Sequence, residues 1–115
     1  MQDVTTVVET CIAMWNEQSD DARRDRVATA LTGEATYLDP LMSGTGTDAI
    51  TSMIGGAWGQ FPGHRFALVS GPDAHHDRVR FTWSLAPVGG EPVAIGVDYA
   101  TIADDGRLSS VTGFL

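Results

Sequence analysis

The chain has 115 residues, of which 43% are hydrophobic and 19% charged, and its formal net charge is −8. These values are typical of one globular domain over 1–115 and exclude a disordered chain. The acidic balance also argues against nucleic acid or an anionic membrane as the partner, because both are bound through basic patches.

The first segment of the chain predicts a helix with one buried stripe. Apolar side chains recur at helical spacing from Val4 through Val8 and Cys11 to Trp15. The segment has no basic start and no long apolar run, so we expect neither a signal peptide nor a membrane span. Cys11 is the only cysteine and cannot form an internal disulfide. Together these features predict a soluble protein of the reducing cytoplasm.

Two further helices and a short strand are predicted next. Ser19 is a suitable N-cap for the second helix, and Gly33 is expected just past its end. A short strand is predicted over 34–39. The third helix is expected to be capped by Thr47 or Asp48 and to stop in the sequence GQFPG. Its apolar stripe consists of Ile50, Met53, Ile54, Ala57 and Trp58.

From His64 onward the apolar residues alternate every two positions, which predicts four strands. The short segments GPDA, VGGE and ADDGR join them and are rich in turn residues, so we expect antiparallel neighbours. In the strand over 75–85, Phe81 and Trp83 share an apolar face, whereas Arg78 and Arg80 lie on the opposite one. Three helices followed by an antiparallel meander predict an α+β domain with its helices on one face of the sheet.

Asp39 ends a β-like run and stands directly before Pro40. Asp-Pro pairs commonly begin turns, so one interpretation is a turn starter. The other is a working carboxylate held at the rim of a cavity. The residues alone leave both open.

Asp98 lies in the middle of the strand EPVAIGVDYATIA, on the same face as Ala94, Gly96 and Ala100. An unpaired carboxylate in such surroundings costs several kcal/mol or raises its pKa. One interpretation is a buried polar group that bonds to Tyr37 or Trp15. The other is an acid that faces a cavity, since its small neighbours leave space in front of it.

The motifs MWNEQSDD, TYLDP, SGTGTDAI, FPGHRF, HHDRVRFTW, GVDYATIADDGRL and VTGFL resemble the nuclear transport factor 2-like superfamily. Within it they are most similar to the SnoaL-like branch, which holds polyketide cyclases and is related to ketosteroid isomerases. The resemblance covers nearly the whole chain in order. It implies a cone-like barrel in which a curved antiparallel sheet wraps around three N-terminal helices. It does not choose a function, because this fold hosts isomerases, cyclases, hydrolases, dehydratases and binding domains.

The resemblance to the isomerases implies a role for each aspartate. Asp39, before a proline at the end of the first strand, matches their general base. Asp98, eight residues before Gly106, matches their second aspartate, which stays protonated and donates a hydrogen bond. Trp15 stands where these enzymes have a tyrosine that donates to the oxyanion. Tyr37 shares the face of Asp39 and is a second candidate for that donor.

We therefore expect both aspartates to border one apolar pocket that takes a small apolar ligand. Its expected walls are Trp15, Tyr37, Met53, Phe81, Trp83, Val111 and Leu115. The predicted function is an isomerase or cyclase that acts on an apolar carbonyl compound by proton transfer, without a cofactor. The alternative is a non-catalytic ligand-binding or dimerisation domain. Epoxide opening is a weaker option, because the two arginines of the 75–85 strand face away from Asp98.

Two motifs are given structural interpretations. His75 and His76 are adjacent in a predicted strand and would point to opposite faces, so we expect no metal site. The sequence GTGTDA fits a dinucleotide-binding pattern loosely, but no parallel strand-helix-strand unit follows, so it predicts a helix entry.

The outer face of the predicted sheet carries an apolar patch on one strand. The patch consists of Val93, Ile95, Val97 and Tyr99, with polar residues on the neighbouring strand. An apolar patch with a polar rim is typical of an association surface, so we expect a homodimer that pairs these faces.

Overall fold

The computed structural model describes residues 3–115, so the first two residues of the predicted domain lie outside it. The helices are α1 (Val4–Asn16), α2 (Asp20–Ala30) and α3 (Thr47–Gln60), and they pack on a curved, open sheet of six strands. The strands are β1 (Leu31–Leu38), β2 (Ser43–Thr45), β3 (His64–His75), β4 (Arg78–Pro87), β5 (Ala94–Ile102) and β6 (Leu108–Phe114). They lie in the order β2-β1-β6-β5-β4-β3. The predicted α+β fold is confirmed.

The first two helices begin at side-chain caps. The Asp3 carboxylate accepts the N–H of Thr5 at 3.1 Å, and the Ser19 hydroxyl accepts that of Ala22 at 3.5 Å, as predicted. Each bond satisfies an N–H that the first helical turn leaves without a partner. The stripe of α1 is buried, with Val8 and Met14 fully covered. Within the described part of the chain, no helix has both the length and the apolar character that crossing a bilayer requires.

The predicted end of α2 and the predicted start of α3 were wrong, whereas α3 ends at Gln60, within GQFPG as expected. Helix α2 ends at Ala30 and passes directly into β1, so that Gly33 lies inside the strand. Leu31 pairs with Leu108 of β6, so the chain is already extended at that point. Helix α3 is preceded by Gly46 at φ 88°, without a side-chain cap. A positive φ favours glycine, which explains why neither of the two polar residues that follow takes the cap position.

The sheet departs from the predicted antiparallel meander in two places. Strands β1 and β6 pair in parallel, with Tyr37 opposite Val111. Their pairing joins distant parts of the chain, so no turn signal announces it. The segment GPDA does not form a turn, because β3 continues through it with shifts of register between Leu68 and Asp73. The β3–β4 turn lies instead at His76, whose φ is 51°.

The predicted faces of β4 and β5 are confirmed. Phe81 and Trp83 of β4 are buried and lie opposite Asp98 and Gly96 of β5. Ile95, one position away from that face, is 56% exposed. The alternation therefore brings the Asp98 carboxyl to the side of the sheet that the helices cover.

Arg23 is a buried charge that the sequence did not reveal. Its side chain is 3% exposed and donates to the carbonyls of Glu17 and Gln18, each at 3.2 Å, and to the Asp20 carboxylate. A Cβ on Gly55 of α3 would lie 3.0 Å from its guanidinium, so this glycine makes room for it. The arginine thus ties the α1–α2 connection to the start of α2 and packs against the middle of α3.

We expect Arg23→Ala to lower the free energy of unfolding by about 3 kcal/mol, because it leaves two carbonyl groups without a charged donor. Arg24→Ala is the matched control, since Arg24 is exposed and pairs only with exposed Asp48. Urea denaturation of both variants measures the difference. Equal losses in the two variants would contradict a structural role for Arg23.

Candidate active site

A cavity of about 80 Å³ lies between the sheet and the helices. Seven of the nine residues predicted for the site border it: Trp15, Tyr37, Asp39, Phe81, Trp83, Asp98 and Leu115. Met53 and Val111 lie outside the lining. Val111 is 2% exposed and packs within the core between β1 and β5, and Met53 is a partly buried residue of α3.

Several wall residues were not predicted. They are Ile12, Leu41, Met42, Ala57, Phe61, Phe66, Leu85 and Ala94. Strand parity would have found Phe66 and Leu85, because they are direct partners on β3 and β4 and share the inner face with Trp83. No sequence signal places Leu41 and Met42, which come to the cavity because the chain turns back after Asp39.

Asp39 is both a turn residue and a carboxylate at the cavity. Its Oδ1 accepts the N–H groups of Leu41 and Met42 at 2.8 and 2.9 Å, which builds the turn after β1. Its Oδ2 accepts the Tyr37 hydroxyl at 2.7 Å. The side chain therefore builds the turn and also borders the cavity. The three donors fix its direction, and one lone pair of Oδ2 is left for another partner.

Asp98 is 3% exposed and lies on the inner face of β5. Its Oδ1 accepts the indole N–H of Trp83 at 3.1 Å, and not a bond from Tyr37 or Trp15 as the sequence suggested. Burial raises the pKa of Asp98 to about 6; the Trp83 hydrogen bond opposes this rise, and the nearby charge of Asp39 adds to it. The carboxyl group therefore changes its protonation state close to neutral pH.

Gly113 of β6 separates the two carboxyl groups. A Cβ at this position would lie 2.8 Å from Oδ1 of Asp98 and 3.2 Å from Cβ of Asp39. The glycine is buried and lies opposite Asp98 in the β5–β6 ladder. Its missing side chain lets the two aspartates approach each other, a role that the terminal motif VTGFL does not show by itself.

Tyr37 and Trp15 pack against each other at the cavity, with ring centroids 5.4 Å apart. Burial and the charges of Asp98 and Asp39 raise the pKa of the Tyr37 phenol far above its usual value. The phenol therefore keeps its proton, which it donates to Asp39. Trp15 accepts a bond from the Trp58 indole at its backbone carbonyl, which fixes its position on α1.

The titratable side chains on other faces do not join this site. Arg78 and Arg80 point to the exposed surface and pair with Asp77 and Asp73. His75 and His76 do not diverge as expected, because His76 belongs to the turn and the two Nδ1 atoms are 3.2 Å apart. Among residues 3–115, no three His, Cys, Asp or Glu side chains are grouped as metal ligands.

The geometry combines two carboxyl groups of different character with an apolar, aromatic wall. One is fixed by three donors at the end of β1, and the other is buried in the centre of β5 with a raised pKa. A carboxyl group of fixed orientation and one of raised pKa therefore border the same apolar cavity.

A search of solved structures finds a strong match to a candidate isomerase of the SnoaL-like family from Agrobacterium tumefaciens. The two chains share 40% identity over 96% of this chain and 95% of the other, with a TM-score of 0.92. Neither the scan against protein-family models nor the search of curated proteins gives a match.

More distant structures share the fold alone. A candidate SnoaL-like polyketide cyclase from Jannaschia is 19% identical over 96% of this chain and 85% of that one, with a TM-score of 0.71. A protein with a ketosteroid isomerase-like fold from Catenulispora acidiphila, solved with trimethylamine, is 13% identical. The match covers 95% of this chain and 84% of the Catenulispora chain, with a TM-score of 0.75.

The raised pKa of Asp98 predicts how stability depends on pH. Its usual pKa is 3.8 and its folded pKa about 6, so between these values the folded protein binds an extra proton. The stabilisation that this proton uptake gives the folded state is complete below about pH 3.8 and is lost as the pH rises to about 6. Over this window, wild type should lose roughly 3 kcal/mol relative to Asp98→Asn, at about 1.36 kcal/mol per pKa unit.

Urea denaturation in steps from about pH 4 to about pH 7 measures this difference. Asp21→Asn, which changes an exposed acid in the first turn of α2, is the control and should show no such step. A constant difference between wild type and Asp98→Asn across the window would contradict the raised pKa.

Proposed function

The chain belongs to the SnoaL-like family, and we propose that it is a small-molecule isomerase or cyclase that acts on an apolar carbonyl compound by proton transfer. The observation that supports this most is the pair of dissimilar carboxyl groups at one apolar cavity. The groups that do chemistry in this proposal are Asp39 and Asp98, and no cofactor is needed for the step.

Asp39 is the base in this mechanism. Its Oδ2 takes a proton from the carbon next to the substrate carbonyl, the C–H bond electrons form an enolate, and the same carboxyl returns the proton to another carbon. In a cyclase, the enolate carbon instead attacks a second carbonyl carbon of the substrate, the π electrons of that C=O bond move to its oxygen, and this oxygen takes the proton back from Asp39. The Tyr37 hydroxyl holds Oδ2 at 2.7 Å, so the base is oriented before the substrate arrives.

Asp98 is the hydrogen-bond donor to the enolate oxygen. With a pKa of about 6, roughly a tenth of the unliganded molecules carry neutral Asp98 at pH 7. An apolar ligand that excludes water from the cavity raises this pKa further, so binding favours the donor form. The indole of Trp15 also borders the cavity and is an auxiliary donor.

A non-catalytic role as a receptor for a small ammonium ion is the second candidate. Six aromatic rings line the cavity together with the two acids, and among residues 3–115 no basic side chain does. A cation would bind to the aromatic faces and neutralise the carboxylates. The Catenulispora protein, which shares the fold, was solved with trimethylamine.

We also propose that two copies pair through the outer face of the sheet. Val93 and Ile95 are each 56% exposed there, and Tyr99 is 44% exposed and packs against Phe114. Thr82 and Ser84 of β4 lie beside this patch and form its polar edge. Self-complementary pairing of such a patch gives a closed dimer. The free thiol of buried Cys11 is consistent with a cytoplasmic location.

Deuterium exchange tests the catalytic proposal without knowledge of the natural substrate. A small β,γ-unsaturated cyclic ketone in D₂O should exchange its α-protons in the presence of the protein, as followed by proton NMR. Asp39→Asn should slow this exchange at least about 100-fold, since it removes the base. The exchange rate should fall above about pH 6, where Asp98 loses its proton.

Asp48→Asn is the matched control, because Asp48 is an exposed acid that pairs with Arg24. Exchange by Asp39→Asn at the wild-type rate would contradict the proposal. If the protein is instead a receptor, no variant should catalyse exchange. Calorimetry should then show micromolar to millimolar binding of trimethylamine, and the double variant Asp39→Asn/Asp98→Asn should abolish it.

Sedimentation analysis tests the dimer. At micromolar concentration wild type should sediment as a dimer, and Val97→Arg should give a monomer, because it places a charge inside the apolar patch. Val88→Arg is the control, since Val88 is 76% exposed but lies in the β4–β5 loop. A wild-type monomer, or a Val97→Arg dimer, would contradict the proposal.

A further inference from the structure

Trp83 reaches Asp98 by lying diagonally across β5. Its direct partner in the ladder is Gly96, and Asp98 lies opposite Phe81, two residues further along β5. A diagonal neighbour is within reach only of a long side chain that leans along the sheet. The indole N–H nevertheless lies 3.1 Å from Oδ1 of Asp98, so the ring must pass over the backbone of Gly96.

Gly96 is the position that permits this path. A Cβ built there would lie 2.2 Å from Cζ2 and 2.6 Å from Cε2 of the Trp83 ring. Real side chains do not approach so closely, so any residue other than glycine would expel the indole from this place. The same Cβ would also lie only 2.9 Å from the backbone carbonyl of Phe114 in β6.

The indole also packs against Phe66. The Phe66 ring meets Trp83 edge to face, with centroids 5.3 Å apart. Phe66 is itself fixed by Asn16 at the end of α1, whose amide accepts the Phe66 N–H at 2.7 Å and donates to its carbonyl at 2.9 Å. Because β3 is an edge strand, this amide takes the place of a missing neighbour strand. Phe66, Gly96 and Asp98 therefore all contact the indole in the observed position.

The two oxygens of Asp98 have different surroundings. Oδ1 accepts the indole N–H. Among residues 3–115, every fully buried polar side-chain atom has a hydrogen-bond partner. Oδ2 has no partner there, so it is not fully buried. Oδ2 therefore touches the cavity that Asp98 borders. In a neutral carboxyl group the carbonyl oxygen is the better acceptor, so the oxygen that faces an N–H donor is the one without the proton.

We propose that Trp83, which the missing side chain of Gly96 allows to lie across β5, fixes the proton of neutral Asp98 on Oδ2, directed into the cavity. Trp83 and Gly96 are thus positioning residues for the hydrogen-bond donor. This inference rests on the proposed function for its catalytic meaning, but the geometry and its test do not require a substrate.

The hydrogen bond also sets how readily Asp98 loses its proton. The other titratable groups that face Asp98 are Asp39 and Tyr37 at the end of β1, and Cys11 of α1. The charge of Asp39 favours the neutral form, and the phenol and thiol keep their protons because burial and the charge of Asp98 raise their pKa values. Trp83 is thus the neighbour that favours ionisation of Asp98.

NMR titration of the unliganded protein tests the inference. The indole N–H resonance of Trp83 should shift with the same midpoint as the Asp98 carboxyl carbon, whereas that of Trp58, which bonds to a backbone carbonyl, should not. Trp83→Phe removes the N–H and should raise the Asp98 midpoint by about one pH unit. Trp58→Phe is the matched control and should leave it unchanged.

A Trp83 resonance that does not follow Asp98, or an unchanged midpoint in Trp83→Phe, would overturn the proposal. Failure of the proposed function would look different, since ketone exchange would be absent while the two midpoints still coincided.

The role of Gly96 is tested by the loss of stability on Gly96→Ala, measured in wild type and in Trp83→Phe. The loss should be clearly smaller in Trp83→Phe, because Cζ2 is gone, while the contact with the Phe114 carbonyl is common to both backgrounds. Gly33→Ala, at a strand glycine with nothing within 4 Å, should cost the same in both backgrounds. Equal losses for Gly96→Ala in the two backgrounds would overturn the role of this glycine.

Discussion

The buried carboxyl group of Asp98 is the constraint on which the rest of the site depends. A strand in the middle of a sheet has apolar surroundings, and ionising an acid there costs several kcal/mol unless partners compensate. This cost is reduced by one indole donor, by small neighbours on β5 and by a cavity in front of the second oxygen. Glycines at 96 and 113 leave the space in which the indole and both carboxyl groups lie.

The two aspartates have different supports and can therefore perform different tasks. Asp39 leaves the sheet at the end of β1, where backbone N–H groups of the following turn and a phenol meet its oxygens. Asp98 stays in the sheet, where burial is the largest influence on its pKa. Tyr37 links the two environments, because its hydroxyl orients Asp39 while its own pKa responds to both charges. The base and donor roles proposed for the two aspartates rest on these local differences.

Sequence periodicity predicted the parts of this site that depend on strand parity. Alternation in β4 and β5 placed Phe81, Trp83 and Asp98 on the covered face, and the parity of Tyr37 and Asp39 placed them together. The hydrogen bond that Trp83 donates to Asp98 could not be predicted, because it runs diagonally across β5 and requires a glycine under the indole ring. The parallel pairing of β1 and β6 has no local signal, since it joins the two ends of the sheet-forming chain. Arg23 lies in the charged segment DARRDR, which has no signal for a buried residue, and only the packing of the helices around it reveals its burial.

Neutron diffraction from crystals of the perdeuterated protein at about pH 5, below the Asp98 pKa of about 6, tests the division between the two acids most directly. The account predicts a deuteron on Oδ2 of Asp98, an indole deuteron directed at Oδ1, and a Tyr37 deuteroxyl directed at a carboxylate of Asp39 that carries none. A deuteron on Asp39 with Asp98 ionised, or one on Oδ1 of Asp98, would contradict it.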